Sequence, residues 1–200
     1  MNTPHPRGPS EHGVRDQVVD AATEHFALYG YEKTTVSDLA KAIGFSKAYI
    51  YKFFDSKQAI GEVICANCLA SIMQIVDIEI DSAPTASERL RRLFRALTKA
   101  GSDLFFHDRK LYDIAAAASR DKWPATKLHE QRLRQIIHQI LIDGRASAEF
   151  ERKTPLDEAG NAIYLVMRPY IDPMQLQHNL ETADEAAVHL SALILRSLAP

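Results

Sequence analysis

Residues 34–57, TTVSDLAKAIGFSKAYIYKFFDSK, constrain this chain more than any other stretch. Leu39, Ala40 and Ile43 repeat at helical spacing and give a short helix one apolar face. Ala40 is small enough for a second helix to cross closely over it. Gly44 then supplies the positive φ that a tight turn between two helices needs. Ser46 is a good N-cap for the next helix, and Ile50, Tyr51 and Phe54 can pack back on the first. Lys47, Ala48, Tyr49, Lys52 and Phe53 are left on or beside the outward face. The pattern predicts a helix-turn-helix, whose second helix is the kind that enters a DNA major groove.

The rest of the chain also reads as helix, and strand-like alternation is hard to find. A first helix is expected over 14–29, with Val18, Ala22 and Phe26 on one face and Gly30 at its end. Short helices over 36–43 and 47–54 precede a long one from about 56 to 80. Asp81 to Pro84 breaks the chain. Further helices are expected from Ser87 to His107, from Leu111 to Ser119, after Pro124 as far as Gly144, after Pro155 as far as Arg168, and from Ala183 to Leu198. The predicted fold class is all-α: an N-terminal three-helix helix-turn-helix DNA-binding domain and a C-terminal helical ligand-binding and dimerisation domain. The expected units are a flexible arm over 1–13, the DNA-binding domain over 14–60 and the second domain over 61–200.

These residues carry a resemblance. Arg15, Val18, Val19, Ala21, Ala22, Phe26, Gly30 and Tyr31, then Thr35, Val36, Leu39, Ala40, Ile43, Gly44, Phe45 and Ser46, then Ile50, Tyr51, Phe54, Ser56 and Lys57 together resemble the TetR family of transcriptional regulators. The motif covers about 15–63 and is specific as a set. Beyond it, only the helical layout is similar. The resemblance implies that Lys47, Ala48, Tyr49 and Lys52 approach bases, where Lys can donate to guanine. Thr35, Ser46, Tyr51 and Lys57 would hold phosphates, Thr35 and Lys57 at helix starts whose free N–H groups favour anions. Tyr49 and Ala48 depart from the residues usual at their places, so no operator sequence transfers. Arg7, in the arm, is a minor-groove candidate.

A net charge of −2 does not advertise nucleic-acid binding. What counts is a local basic surface, and Lys41, Lys47, Lys52 and Lys57 stand against Asp55 alone between Leu39 and Lys57. No unbroken apolar run approaches the roughly 18 residues of a membrane span, and the N-terminus lacks a signal-peptide core. The expected location is cytoplasmic, without membrane association. Cys65 and Cys68 form a CxxC with no second ligand pair for zinc and no βαβ context for a thioredoxin-like motif. Two small buried side chains are the plain reading, and a thiol redox switch is the alternative. No nucleophile–base set, HExxH, phosphate loop or carboxylate pair is found. No catalytic residue, metal site or cofactor is expected, and the protein is not read as an enzyme.

One helix-turn-helix reads few bases, so paired modules on a palindromic site are expected, and with them a homodimer. In the last helix Ala183, Ala187, Leu190, Ile194 and Leu198 form a stripe. Leu156, Ala159 and Ile163 form a second one, and the two helices from each subunit could build a four-helix interface. If the family pattern holds, the middle helices enclose a pocket for a small-molecule effector. Candidate lining residues are Phe94, Leu97, Phe105, Tyr112, Trp123, His129, Tyr164, Met167 and Tyr170, large apolar bodies of which several carry a polar tip. The expected function is a ligand-responsive regulator, most simply a repressor. The alternatives are a helical interaction protein, or a small-molecule enzyme or binding protein without specific DNA binding.

Overall fold

The computed structural model describes residues 11–200, so Arg7 and most of the arm lie outside the described residues. The chain forms ten α-helices there: α1 (Glu11–Tyr29), α2 (Val36–Ile43), α3 (Lys47–Ile50), α4 (Lys57–Asp81), α5 (Ala86–His107), α6 (Arg109–Arg120), α7 (Pro124–Ala146), α8 (Leu156–Met167), α9 (Pro173–Leu176) and α10 (Ala183–Ser197). Single 3-10 turns occupy Arg168–Tyr170 and Leu180–Thr182. No strand occurs among the described residues. The helix expected from residue 14 begins at Glu11, so the last part of the expected arm is already helical. Helix α3 is shorter than expected. Its fold continues as hydrogen-bonded turns, with Phe53 N and Phe54 N donating to the Ile50 carbonyl at 2.9 and 3.1 Å.

Two cores organise the bundle. The first gathers Val18, Phe26, Leu39, Ile50, Phe54 and Ile60 from α1 to α4. It also takes in Ile114 and Ala118 of α6 and Trp123, the residue before α7. The second gathers Leu93, Phe94, Ile137, Ile140, Leu141 and Met167 with the inner faces of α8 and α10. Helix α4 contributes Ile60, Ile64 and Cys65 to the first and Met73, Val76 and Ile80 to the second. The expected boundary at residues 60 and 61 therefore falls inside an unbroken helix.

By length and composition α4 could cross a membrane, with a mean hydropathy of 1.7 over its most apolar window. Counting unbroken apolar runs missed this, because isolated polar residues interrupt it. In the fold α4 packs against α1, α5, α6 and α7. Its Asp77 carboxylate pairs with the Arg132 guanidinium of α7. It is the central helix of this bundle, buried at seven positions along its length.

The stripes expected to dimerise are instead used within the chain. Ala183, Ala187, Ile194 and Leu198 are buried, as are Ala159 and Ile163, while Leu156 and Leu190 pack half-buried beside them. The small residues of α10 let it lie closely along α5, and close packing between two long helices of one chain satisfies the spacing that had suggested an intermolecular seam. The apolar side chains left outside are Leu165 and Val166 on α8 and Val188 and Leu193 on α10, between 39 and 60% exposed.

Candidate DNA-binding surface and ligand cavity

Helix α2 starts with a complete capping box. The Thr35 hydroxyl accepts from Asp38 N at 3.2 Å, and the Asp38 carboxylate accepts from Thr35 N at 2.9 Å. The Thr35 hydroxyl also donates to the same carboxylate at 2.7 Å. These bonds hold the Asp38 pKa below its usual value, the Thr35 hydroxyl first. Thr35 was expected to grip a phosphate. Its amide and hydroxyl are already committed, and a carboxylate occupies the anion position at this helix start.

Gly44 closes α2 at φ 78°. Ser46 then caps α3 by accepting from Tyr49 N at 3.1 Å. Ile50 and Phe54 are buried, and this fixes the roll of α3. Lys47, Ala48, Tyr51 and Lys52 are left exposed. Tyr49 is half-buried, edge-on between Phe45 at 5.1 Å and Phe53 at 5.4 Å. The Lys52 and Lys47 ammoniums lie 5.6 and 5.7 Å from the Tyr49 and Tyr51 ring centres. Each ring thus carries a cation beside it on the open face. Six of the expected residues, Ser46, Lys47, Ala48, Tyr49, Tyr51 and Lys52, come together on one edge, with Tyr49 wedged more than free. Arg15 was quoted only as part of the motif, yet it does structural work here. Its guanidinium donates to the Phe53 carbonyl at 3.0 Å and lies 4.4 Å from the Phe54 ring centre, tying α1 to the end of α3.

Lys57 turns inward. Its ammonium donates to the Tyr31 carbonyl at 2.9 Å and sits 4.3 Å over the Tyr31 ring. It latches the start of α4 to the α1–α2 turn instead of standing free for phosphate. Ser56 caps α4, its hydroxyl accepting from Ala59 N at 3.0 Å, and a helix start leaves the amides before it without intrahelical acceptors.

A cavity of about 430 Å³ opens among α4, α5, α6, α7, α8 and the segment before α10. Of the nine candidate lining residues, Leu97, Tyr112, His129 and Tyr164 line it. Phe94 and Met167 lie in the second core. Phe105 and Tyr170 pack on a small cluster around Tyr112 and Leu176, and Trp123 belongs to the first core. The Tyr112 hydroxyl donates to the Pro173 carbonyl at 2.6 Å, so its ring offers mainly an apolar wall. His129 is held as a neutral imidazole, its pKa pushed down to about 4 by burial and then by Arg132. The Tyr164 ring stacks beneath the Arg134 guanidinium, 3.9 Å from its centre.

Sequence reasoning missed Cys65 and Cys68 as cavity residues. Their i, i+3 spacing puts both on one face of α4, which a reading of small core filler left unused. Both thiols are free, and burial raises the pKa of each, that of Cys65 to about 12. They are neutral walls at physiological pH, not nucleophiles.

A short basic recognition helix, held by two caps and joined through α4 to a cavity-bearing bundle, defines a helix-turn-helix module coupled to a ligand domain. Residues 18–63 match the family model of bacterial regulatory proteins of the tetR family, and residues 86–190 match the tetracyclin repressor-like C-terminal domain. The chain belongs to the TetR family. It is similar to IcaR, the HTH-type negative transcriptional regulator of the biofilm operon icaADBC of Staphylococcus aureus strain Newman, at 35% identity over 63 residues, 32% of this chain and 34% of that protein. The chain thus spans about a third of the length of the curated relatives it matches in this way. Among solved structures, a transcriptional regulator from Cytophaga hutchinsonii superposes with a TM-score of 0.70 at 21% identity, covering 94% of this chain and all of that one. FadR of Bacillus subtilis, solved with stearoyl-CoA, superposes with a TM-score of 0.63 at 22% identity over 92 and 97% of the two chains.

Proposed function

We propose that this protein is a transcriptional repressor that binds a palindromic operator as a homodimer and lets go when a small molecule fills the cavity. The observation that carries the reading is the α3 edge: Lys47 and Ala48 on α3 and Lys52 on the turn that continues it are exposed together, with the roll of the segment fixed by buried Ile50 and Phe54. The lysines and Ala48 would read bases. Ser46, Tyr51 and the open amides at the start of α4 would hold phosphates and fix register. IcaR is a negative regulator by name and FadR carries stearoyl-CoA, and both support repression under the control of a bound ligand. The site of action is the cytoplasm, and no catalytic step is part of the reading.

The dimer would form through the outer faces of α8 and α10, where Leu165, Val166, Val188 and Leu193 stay exposed. Ligand in the cavity would bias the tilt of α4, which lines it with Ile64, Cys65, Cys68, Leu69 and Ile72. Tilt changes the separation of the two α3 helices, which must match half-sites about 34–36 Å apart. A coupling of about 1–3 kcal/mol would change operator affinity 5- to 150-fold.

The test is selection from random duplex DNA with purified protein, followed by affinity measurement across salt. A palindromic site is expected, with affinity about 10- to 100-fold lower in Lys47→Ala and a shallower salt slope in Lys52→Ala. A pool with no enriched sequence, bound equally by both variants, would sink the proposal.

A further inference from the structure

The charges around the cavity do not balance once their partners are counted. Its acids are engaged. Glu130 pairs with Arg134 at 2.9 Å. Asp172 accepts from the Ser119 hydroxyl at 3.1 Å and from Met174 N at 2.9 Å, with Arg168 at 3.8 Å. The side-chain ammoniums of two lining cations, Lys122 and Lys127, have no hydrogen-bond or ion-pair partner among the described residues, although their backbone amides are bonded. Both are exposed, so they mark the cavity's open edge. Between them α7 begins without a side-chain cap, and its positive end adds to the same field. Apolar walls such as Leu97, Leu104, Leu133 and Leu176 make up the rest.

The three-residue turn between α6 and α7, Asp121 to Trp123, reaches the DNA-binding module on its other side. Lys122 holds a left-handed backbone at φ 54°, a conformation that costs a non-glycine residue strain. Trp123, next in the chain, is 2% exposed and packs in the first core, outside the cavity lining. Its ring meets the Tyr31 ring edge-on at 5.7 Å. The fit has no slack, since a Cβ on Gly61 of α4 would stand 3.0 Å from Trp123 and 2.9 Å from Tyr31. The indole N–H has no acceptor among the described residues, so packing fixes the ring. Tyr31 is the residue that the Lys57 ammonium latches to α4, and Arg120 adds a 3.4 Å link to Glu32 beside it.

Extending the ligand-responsive function proposed above, on which this rests, we propose that the effector is an apolar molecule with one anionic head, bound at the head by Lys122 and Lys127, and that Trp123 passes occupancy to Tyr31 and the start of α4. Trp123 is a positioning residue here and touches no ligand. A carboxylate or a phosphate head supplies the same chemistry, with the tail along the leucine walls.

Trp123 is the only tryptophan in the chain, so its fluorescence reports on this joint directly. Full-length protein is titrated with decanoate, decyl phosphate and decanol, following Trp123 emission and, by calorimetry, binding. At least one anion is expected to bind about tenfold or more tighter than decanol and to shift Trp123 emission. The Lys122→Ala, Lys127→Ala double variant is expected to bind all three alike, with decanol binding retained as the check that the cavity is still folded. Equal affinity for anions and alcohol in the unaltered protein, binding of neither, or a preference that survives in the double variant overturns the ligand assignment. Tight anion binding with unchanged Trp123 emission overturns the relay. These titrations need no DNA, so an absent operator would count against the repressor reading alone.

Discussion

His129 shows how much of this site is decided one residue at a time. Burial lowers its pKa from 6.5 to about 4, with Arg132 as the smaller cause. Between those values the unfolded chain holds a proton that the folded one refuses, so stability falls as pH drops through that window and is at its full value above about 6.5. The loss approaches roughly 3 kcal/mol at the acid end. Thermal unfolding measured from pH 7 to 4 should show this decline, and His129→Gln should flatten much of it. An unchanged slope in the variant would assign the acid sensitivity to another group. At this scale the sequence was legible where a side chain acts on its own neighbours. Ser46 caps α3 as its position before the helix requires, and Lys47 and Lys52 stand outward at the spacing read from the chain. It was illegible where a distant partner claims the side chain. Lys57 looked free until Tyr31, 26 residues earlier, took its ammonium, and Trp123 looked like a pocket wall until Tyr31 and Gly61 took its ring.

Helix ends repeat one geometry with three different residues. After α2, Phe45 N donates to the Ala40 carbonyl and Gly44 sits at φ 78°. After α6, Trp123 N donates to Ala118 with Lys122 at φ 54°, and after α7, Glu149 N donates to Gly144 with Ala148 at φ 60°. Each is a left-handed cap that returns a free carbonyl to a backbone N–H. Only Gly44 meets it without a Cβ penalty. Ala148→Gly should therefore raise stability by about 0.5–1 kcal/mol, the relief of left-handed strain less the added freedom of the unfolded chain. Urea unfolding should show a higher midpoint at an unchanged slope, and a lower midpoint would mean the strain is smaller than the entropy lost. The contrast explains why element boundaries were read unevenly. The α2 end was visible because glycine marks it. The ends of α6 and α7 carry no such mark, and the α1 start lies three residues before any apolar signal.

Over the whole molecule, periodicity identified which helices have apolar faces but could not say which neighbour covers them. The Ala183 to Leu198 stripe has the spacing of a seam, and α5 of the same chain fills it. The exposed side chains on α8 and α10 form the alternative surface. Replacing Leu165 and Val188 by Glu should give a monomer in sedimentation with little change in thermal stability, since both are more than half exposed in the single chain. A persistent dimer would send the interface elsewhere. The first core crosses the expected domain line as well, because Ile114, Ala118 and Trp123 complete the packing begun by α1 to α4. Exchange between relatives is constrained accordingly. A front half transplanted at residue 60 would arrive with Tyr31 facing a stranger's turn, so new operator preferences are more readily acquired by changes within α3 than by trading whole modules, and the α6–α7 turn is inherited with the end it touches.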